Sequence, residues 1–208
     1  SAIYCTINSN GKGNALSCGA NTTINTKGKI SWSLERASLS TSLNFVWYLE
    51  KRNGKTYLYN PQSDSYFTGT ANSPTSALAD KASAPAWEVA CVDEQKKTYT
   101  FNMNGSGQYL NSYSATNTGL WGGGASDANN IWVVNEVTGF DITMPQTGYY
   151  MVNFPLAVEL PNGLDAFAVS KVEKLNYQGA DYVYAILERI DSRIIPSNFP
   201  MILSATPA

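Results

Sequence analysis

The chain has 208 residues, a formal net charge of -2 and no histidine. Its 14 basic residues are scattered singly or in pairs, so the clustered basic footprint that phosphate binding requires is absent and no nucleic-acid partner is expected. The lack of histidine removes the Ser-His-Asp and Cys-His arrangements, and three cysteines are too few and too far apart for structural zinc, so we expect no metal and no cofactor.

Three similar hairpin segments follow one another within residues 3–137. They lie at residues 5–16 (CTINSNGKGNAL), 57–67 (YLYNPQSDSYF) and 99–110 (YTFNMNGSGQYL), with one residue fewer in the second copy. Each combines apolar residues at alternate positions with a turn of Gly, Asn, Asp or Ser, which is typical of antiparallel strands. The only helical candidate, residues 30–39, is weakened by its serines.

A tryptophan-centred strand follows each hairpin. These strands lie at residues 45–49, 86–90 and 131–134, and their tryptophans (Trp47, Trp87, Trp132) are 40 and 45 residues apart. This period indicates one supersecondary unit repeated three times, because units that close on each other remove exposed sheet edges. A propeller of this length would have three blades, below the usual minimum of four. We therefore predict an all-β protein whose residues 1–137 form a β-trefoil with these three tryptophans in its core.

The hairpin pattern Y-x-F-x-x-x-x-G-x-Y-L, followed about 20 residues later by a tryptophan strand, resembles ricin-type β-trefoil lectin modules over roughly two thirds of the chain. The Q-x-W signature of that family is matched loosely at residues 130–132 (NIW) and not at residues 85–87 (PAW) or 45–47 (FVW). The resemblance implies a trefoil with sugar binding, and the departures weaken that expectation for the first two repeats.

The third repeat carries the predicted ligand site. Trp121 is followed by three glycines, which cannot shield an indole, and then by carboxylate and amide groups before the Trp132 strand. A sugar stacks its apolar C–H face on such a ring while its hydroxyls form hydrogen bonds. The alternative is that Trp121 folds back to plug the barrel and that the Asn and Gly residues only make turns. The predicted ligand-binding residues are Trp121, Asp127, Asn129, Asn130, Asn111 and Tyr113.

The pattern changes from residue 138, where prolines punctuate short strands and tryptophan disappears. Residues 148–169 and 194–203 resemble a small β-sandwich module that follows other domains in exported proteins of Gram-negative anaerobes. In that module a final strand follows the equivalent of residues 201–203. We therefore expect residues 138–208 to form a small antiparallel β-sandwich-like domain that lacks its last strand or receives it from a partner.

The cysteines allow two interpretations. Cys5 and Cys18 flank the first hairpin, and a turn near Gly11 would place them opposite each other, either as a cross-strand disulfide or as two small buried thiols. Cys91, beside Val92 in an apolar strand, is expected to be a buried free thiol.

Composition also suggests where the protein acts. Only 14% of residues are charged, and the abundance of Tyr, Ser, Thr, Asn and Gly is common in secreted bacterial proteins. No apolar run approaches the roughly 20 residues that span a bilayer, and the sequence begins at Ser1 without a basic-then-apolar leader. We expect the mature or trimmed form of an exported protein, secreted or at the cell surface, with no membrane insertion.

Paired carboxylates can hydrolyse glycosides without histidine, but no acidic residue stands in a recognisable catalytic setting; Asp93 and Glu94 lie in a lysine-rich turn. We therefore predict a non-enzymatic carbohydrate-binding or surface-attachment accessory protein. Its expected partners are a glycan or glycoprotein and other domains of a larger surface protein. The alternatives are a protein-interaction or structural module without sugar binding and, less favoured, a protease inhibitor.

Overall fold

The structure is a computed structural model that describes residues 4–18, 31–32, 44–137, 141–142, 148–154, 157–160 and 162–205. Contacts divide the chain into two units, Ser1–Asp141 and Ile142–Ala208. Regular structure in these described ranges is β-strand, apart from the short 3-10 helices Gly124–Ser126 and Ala128–Asn130. Within the same ranges, no helix has the length and apolar character needed to span a membrane.

The strands up to the division between the units follow the predicted hairpin and tryptophan segments. Of the helical candidate at residues 30–39, Ser31–Trp32 form a short strand, and the other residues lie outside the described part. In chain order the strands are β1 (Tyr4–Ser9), β2 (Ser31–Trp32), β3 (Trp47–Arg52), β4 (Lys55–Asn60), β5 (Ser65–Gly69), β6 (Ser76–Ala79), β7 (Trp87–Asp93), β8 (Thr98–Met103), β9 (Tyr109–Asn111), β10 (Gly119–Trp121), β11 (Trp132–Glu136) and β12 (Asp141–Ile142).

Six strands close into a ring. Antiparallel pairing runs from β1 to β3, β4, β7, β8 and β11, and β11 pairs back with β1. The hairpins β5–β6 and β9–β10 continue from β4 and β8. A closed ring leaves its strands without free edges, and three strand pairs around one axis with hairpin caps define a β-trefoil. The predicted all-β trefoil is confirmed.

The core of the ring repeats the same side-chain pattern three times. In each repeat, two buried apolar side chains of the hairpin lie nine positions apart, and a buried tryptophan follows. All nine side chains are at most 2% exposed and belong to one hydrophobic cluster. The three triplets are Ile7, Leu16 and Trp47; Leu58, Phe67 and Trp87; and Phe101, Leu110 and Trp132.

Strand pairing confirms that these tryptophans are equivalent. Trp47 pairs with Cys5, Trp87 with Thr56 and Trp132 with Tyr99, in each case two residues before the first apolar residue of the triplet. The second hairpin therefore aligns from Thr56, and no residue is missing from it. The alignment that started this copy at residue 57 was wrong by one position, because Tyr57 and Tyr59 mimic the spacing of the apolar side chains while Leu58 is the one that is buried.

All three cysteines are free thiols, so of the two alternatives for Cys5 and Cys18 the disulfide is not formed. Cys5 lies in the core, where burial and the neighbouring Glu136 raise its pKa to about 12. Cys18 is half-buried and its Sγ donates to Asn44 Oδ1 at 3.2 Å. Cys91 is exposed rather than buried, because it lies beyond the buried part of β7. The expectation of a buried Cys91 was wrong.

The second unit contains two antiparallel sheets. One has the order β13-β18-β15-β16, and β14 pairs with β17 in the other. Its buried side chains include Phe154, Ala166, Ile195 and Leu203. The sandwich arrangement, the missing last strand and the boundary at residue 138, which lies outside the described residues, stay predictions. The strands are β13 (Tyr149–Val152), β14 (Val158–Glu159), β15 (Leu164–Tyr177), β16 (Ala180–Arg189), β17 (Ile194–Ile195) and β18 (Met201–Ala205).

Candidate functional site

The cap of the third repeat, formed by the hairpin β9–β10, presents an aromatic corner made of Trp121 and Tyr113. Strand alternation buries Leu120 completely and turns the next residue, Trp121, outward, where it is 41% exposed. Tyr113 is 45% exposed and meets the indole edge to face, with ring centroids 5.9 Å apart and an interplanar angle of 78°. Trp121 therefore does not plug the barrel.

The glycine loop after Trp121 leaves the indole uncovered. A Cβ at Gly122 would meet no atom within 4 Å, and Gly123 and Gly124 have positive φ angles of 91° and 53°. Such angles favour glycine because a Cβ is strained there. The loop is nevertheless held in place, since Asn130 Nδ2 donates to the carbonyls of Gly122 at 2.8 Å and of Gly124 at 3.0 Å.

Two of the predicted site residues lie beneath this surface. Asn130 is fully buried and Asn111 is 3% exposed. Asn111 Nδ2 donates to Asn130 Oδ1 at 2.8 Å, so the amide of Asn130 is engaged at both its nitrogen and its oxygen. These amides brace the glycine loop from below, and a direct contact with a ligand is not available to Asn130 in this arrangement.

The polar rim of the corner comes from two repeats. Asp127 caps the 3-10 helix Ala128–Asn130, with its Oδ1 accepting from the backbone N–H of Asn129 at 2.9 Å. Asn129 Oδ1 accepts from Lys12 Nζ, which also donates to the carbonyl of Ser112 at 2.7 Å. Lys12 belongs to the first hairpin turn. The sequence offered only a lone lysine between two glycines, which does not indicate contacts 100 and 117 residues away.

The second repeat lacks the corresponding platform. Tyr66 pairs with Ala79 there, as Tyr109 pairs with Trp121 in the third repeat, so an alanine stands where the indole would be. Tyr66 is buried and donates to Glu50 Oε2 at 2.5 Å, and Tyr59 donates to Asp64 Oδ1 at 2.8 Å. These contacts engage the carboxylates of Glu50 and Asp64 within the protein. The equivalent position in the first repeat lies outside the described residues.

The arrangement can hold a small polar ligand against an aromatic face. The corner offers one partly exposed carboxylate (Asp127), one ammonium (Lys12) and two rings, which suits hydroxyl groups on an apolar frame. Across the part of the chain that is described, no three His, Cys, Asp or Glu side chains group in a way that could hold a metal ion.

The first unit is thus a β-trefoil whose third repeat carries an exposed aromatic corner, and comparisons with known proteins give low similarities. No family model and no curated protein matches the chain. The designed threefold-symmetric protein ThreeFoil is 13% identical, over 64% of this chain and 99% of its own, with a TM-score of 0.47. A ricin B-like lectin from Macrolepiota procera, solved in complex with lactose, is 13% identical over 64% of this chain and 95% of its own, with a TM-score of 0.45.

A third structure is an enzyme. The endo-β-galactosidase from Clostridium perfringens that releases GlcNAcα1-4Gal is 17% identical over 65% of this chain, with a TM-score of 0.49. The match spans 32% of the enzyme's own length. The trefoil architecture of the present chain follows from its own closed ring and its three core triplets.

Proposed function

We propose that this protein binds carbohydrate without catalysis, through a shallow site at the aromatic corner of its third trefoil repeat. The observation that carries the proposal is an indole turned outward at the end of β10, beside a braced glycine loop that leaves it uncovered. Trp121 and Tyr113 would stack on the sugar, and Asp127, Asn129 and Lys12 would bind its hydroxyls. We further propose that it acts as an exported accessory protein that attaches to glycans or glycoproteins at a surface.

The expected affinity of one site is weak. Aromatic contacts of this kind contribute about 0.5–1.5 kcal/mol beyond area burial, and a shallow site buries little area. Useful binding then requires several sites or several copies that act together. A glycan presented at high density on a surface is the class of ligand that suits such a site.

A glycan array probed with the full chain tests this proposal. We expect binding that falls at least about tenfold in Trp121→Ala and in Tyr113→Ala, because each removes one ring of the platform. Tyr149→Ala is the matched control, since it removes an exposed aromatic side chain from the second unit and leaves the corner intact. Binding that survives Trp121→Ala would place the site elsewhere, and an array without any bound glycan would refute the function. The protein-interaction and inhibitor alternatives then take precedence.

A further inference from the structure

The long hairpin β15–β16 of the second unit carries exposed apolar side chains on both of its faces. Its 14-residue and 10-residue strands pair from Phe167–Arg189 to Tyr177–Ala180, and every residue of β16 is exposed. Apolar surface of this extent marks an interaction site on a folded protein. The exposed large apolar side chains of this hairpin are Val169, Val172, Leu175, Tyr177, Tyr182, Val183, Tyr184, Ile186 and Leu187.

The outer edge of β16 is open to another strand. This strand ends the order β13-β18-β15-β16, and no other strand of the described residues pairs with its far side. Natural sheets usually protect such an edge with proline, a bulge or a very short strand. The sequence of β16 (ADYVYAILER) contains no proline, and the register shift of the hairpin falls in β15 between Val169 and Lys171.

The sequence of β16 is complementary to itself in one symmetric register. Directly opposed residues of an antiparallel ladder alternate between two pair types, so a twofold axis must pass between two copies of the same residue. With the axis at Ala185, nine of the ten residues of β16 are opposed, and Asp181 of each copy faces Arg189 of the other. Val183 then faces Leu187, and Tyr184 faces Ile186.

Neighbouring registers lose this charge complementarity. Moving the axis to Ile186 opposes only residues 183–189 and leaves Asp181 outside the paired strands, and moving it to Tyr184 places Arg189 opposite the turn residue Gly179. Like charges directly opposed in a ladder are destabilising, whereas opposite charges stabilise it. The registers at Ala185 and Tyr184 both oppose nine residues of β16, and of the two only the register at Ala185 adds favourable charge pairs.

We propose that the partner of this hairpin is a second copy of the same chain, joined edge to edge through β16 with the twofold axis at Ala185. The two four-stranded sheets become one antiparallel sheet of eight strands. Both charged groups are already held at the surface, since Arg189 pairs with Asp165 at 2.9 Å and Asp181 accepts from Asn176 at 2.8 Å. This interface involves only the second unit, so it does not depend on sugar binding.

Charge reversal tests the interface by sedimentation velocity on the full chain over a range of concentrations. The natural sequence is expected to dimerise, whereas Asp181→Arg and Arg189→Asp alone each oppose like charges twice and weaken association about thirtyfold. An equimolar mixture of the two variants restores both opposite pairs and should form a heterodimer, which misfolded variants would not do. Asp165→Asn is the control, because it removes the ion pair of Arg189 within the chain and should leave the dimer.

Cross-linking tests the register. Opposed Cα atoms in an antiparallel pair are about 4.5–5.5 Å apart, within the range of a disulfide. In a Cys91→Ser background, Ala185→Cys should give a disulfide-linked dimer on mild oxidation, and Val172→Cys, one strand further from the axis, should not. A natural chain that stays monomeric at every concentration overturns the proposal. A dimer that ignores both charge reversals, or that fails to cross-link at residue 185, overturns it as well.

Discussion

The three core tryptophans provide a matched set for measuring one buried hydrogen bond. Trp47 Nε1 donates to the carbonyl of Leu16, and Trp132 Nε1 donates to that of Leu110, both at 2.9 Å. Trp87 Nε1 is equally buried, but it finds no partner among the described residues. Replacing each tryptophan by phenylalanine therefore removes similar volume from equivalent positions, and only two of the three changes also remove a hydrogen bond.

The expected costs differ by about 2 kcal/mol. Loss of the larger ring should cost roughly 1–2 kcal/mol at all three positions, because each lies in the same close-packed cluster. A buried hydrogen bond adds about 0.5–1.5 kcal/mol for Trp47 and Trp132, whereas Trp87→Phe relieves an unpaired donor worth about 1 kcal/mol or more. Trp87→Phe is therefore expected to be the mildest of the three by a clear margin.

Urea unfolding followed by tryptophan fluorescence measures these differences. All five tryptophans lie in the first unit, so the signal reports the trefoil even though the chain has two units. Each variant keeps four of them, and equal denaturant slopes would show that only stability has changed. A loss of unfolding free energy in Trp87→Phe as large as in the other two variants would refute the hydrogen-bond argument.

Two further perturbations test the packing and the electrostatics of the first unit. A Cβ at Gly119 would lie 1.9 Å from the carbonyl oxygen of Ser73, so Gly119→Ala should lower the free energy of unfolding by about 2 kcal/mol or more. A Cβ at Gly122 meets open space, so Gly122→Ala is the control and should cost far less in the same urea assay. Burial, and then the hydrogen bond to Asp64, raise the pKa of Tyr59 from 10.0 to about 12. Its neutral form is favoured by folding, so this stabilisation is complete below pH 10 and is lost as pH rises towards 12. A urea midpoint that falls over that interval, and falls less in Asp64→Asn, is the expected result; a flat midpoint in both proteins would contradict it.

The trefoil could be predicted because its core residues recur at a regular spacing in the sequence. Each repeat places two apolar hairpin residues nine positions apart and a tryptophan in the following strand, and such regular spacing survives the poor local similarity of the copies. The register of the second hairpin was harder to predict. Alternating tyrosines around Leu58 satisfy a strand pattern equally well in two registers, and only burial separates them.

The candidate site could be predicted only in part from the sequence. Exposure of Trp121 follows from strand alternation and bare glycines, which are local features. The burial of Asn111 and Asn130 does not, because asparagine in a turn can face either solvent or the protein, and its direction depends on the carbonyls nearby. The contribution of Lys12 depends on the closure of the ring, which brings the first hairpin turn beside the third cap.

The core of the first unit and the outer surface of its caps are formed by different side chains. The side chains at positions 79 and 121 occupy equivalent places on the second and third caps, one an alanine and one a tryptophan, while the core triplets beneath them are complete in both repeats. The number of caps that carry an aromatic ring can therefore change during evolution without repacking the interior. Under the proposed function, valency in such a scaffold would change one cap at a time, with the aromatic ring, its glycine loop and its polar rim gained or lost together.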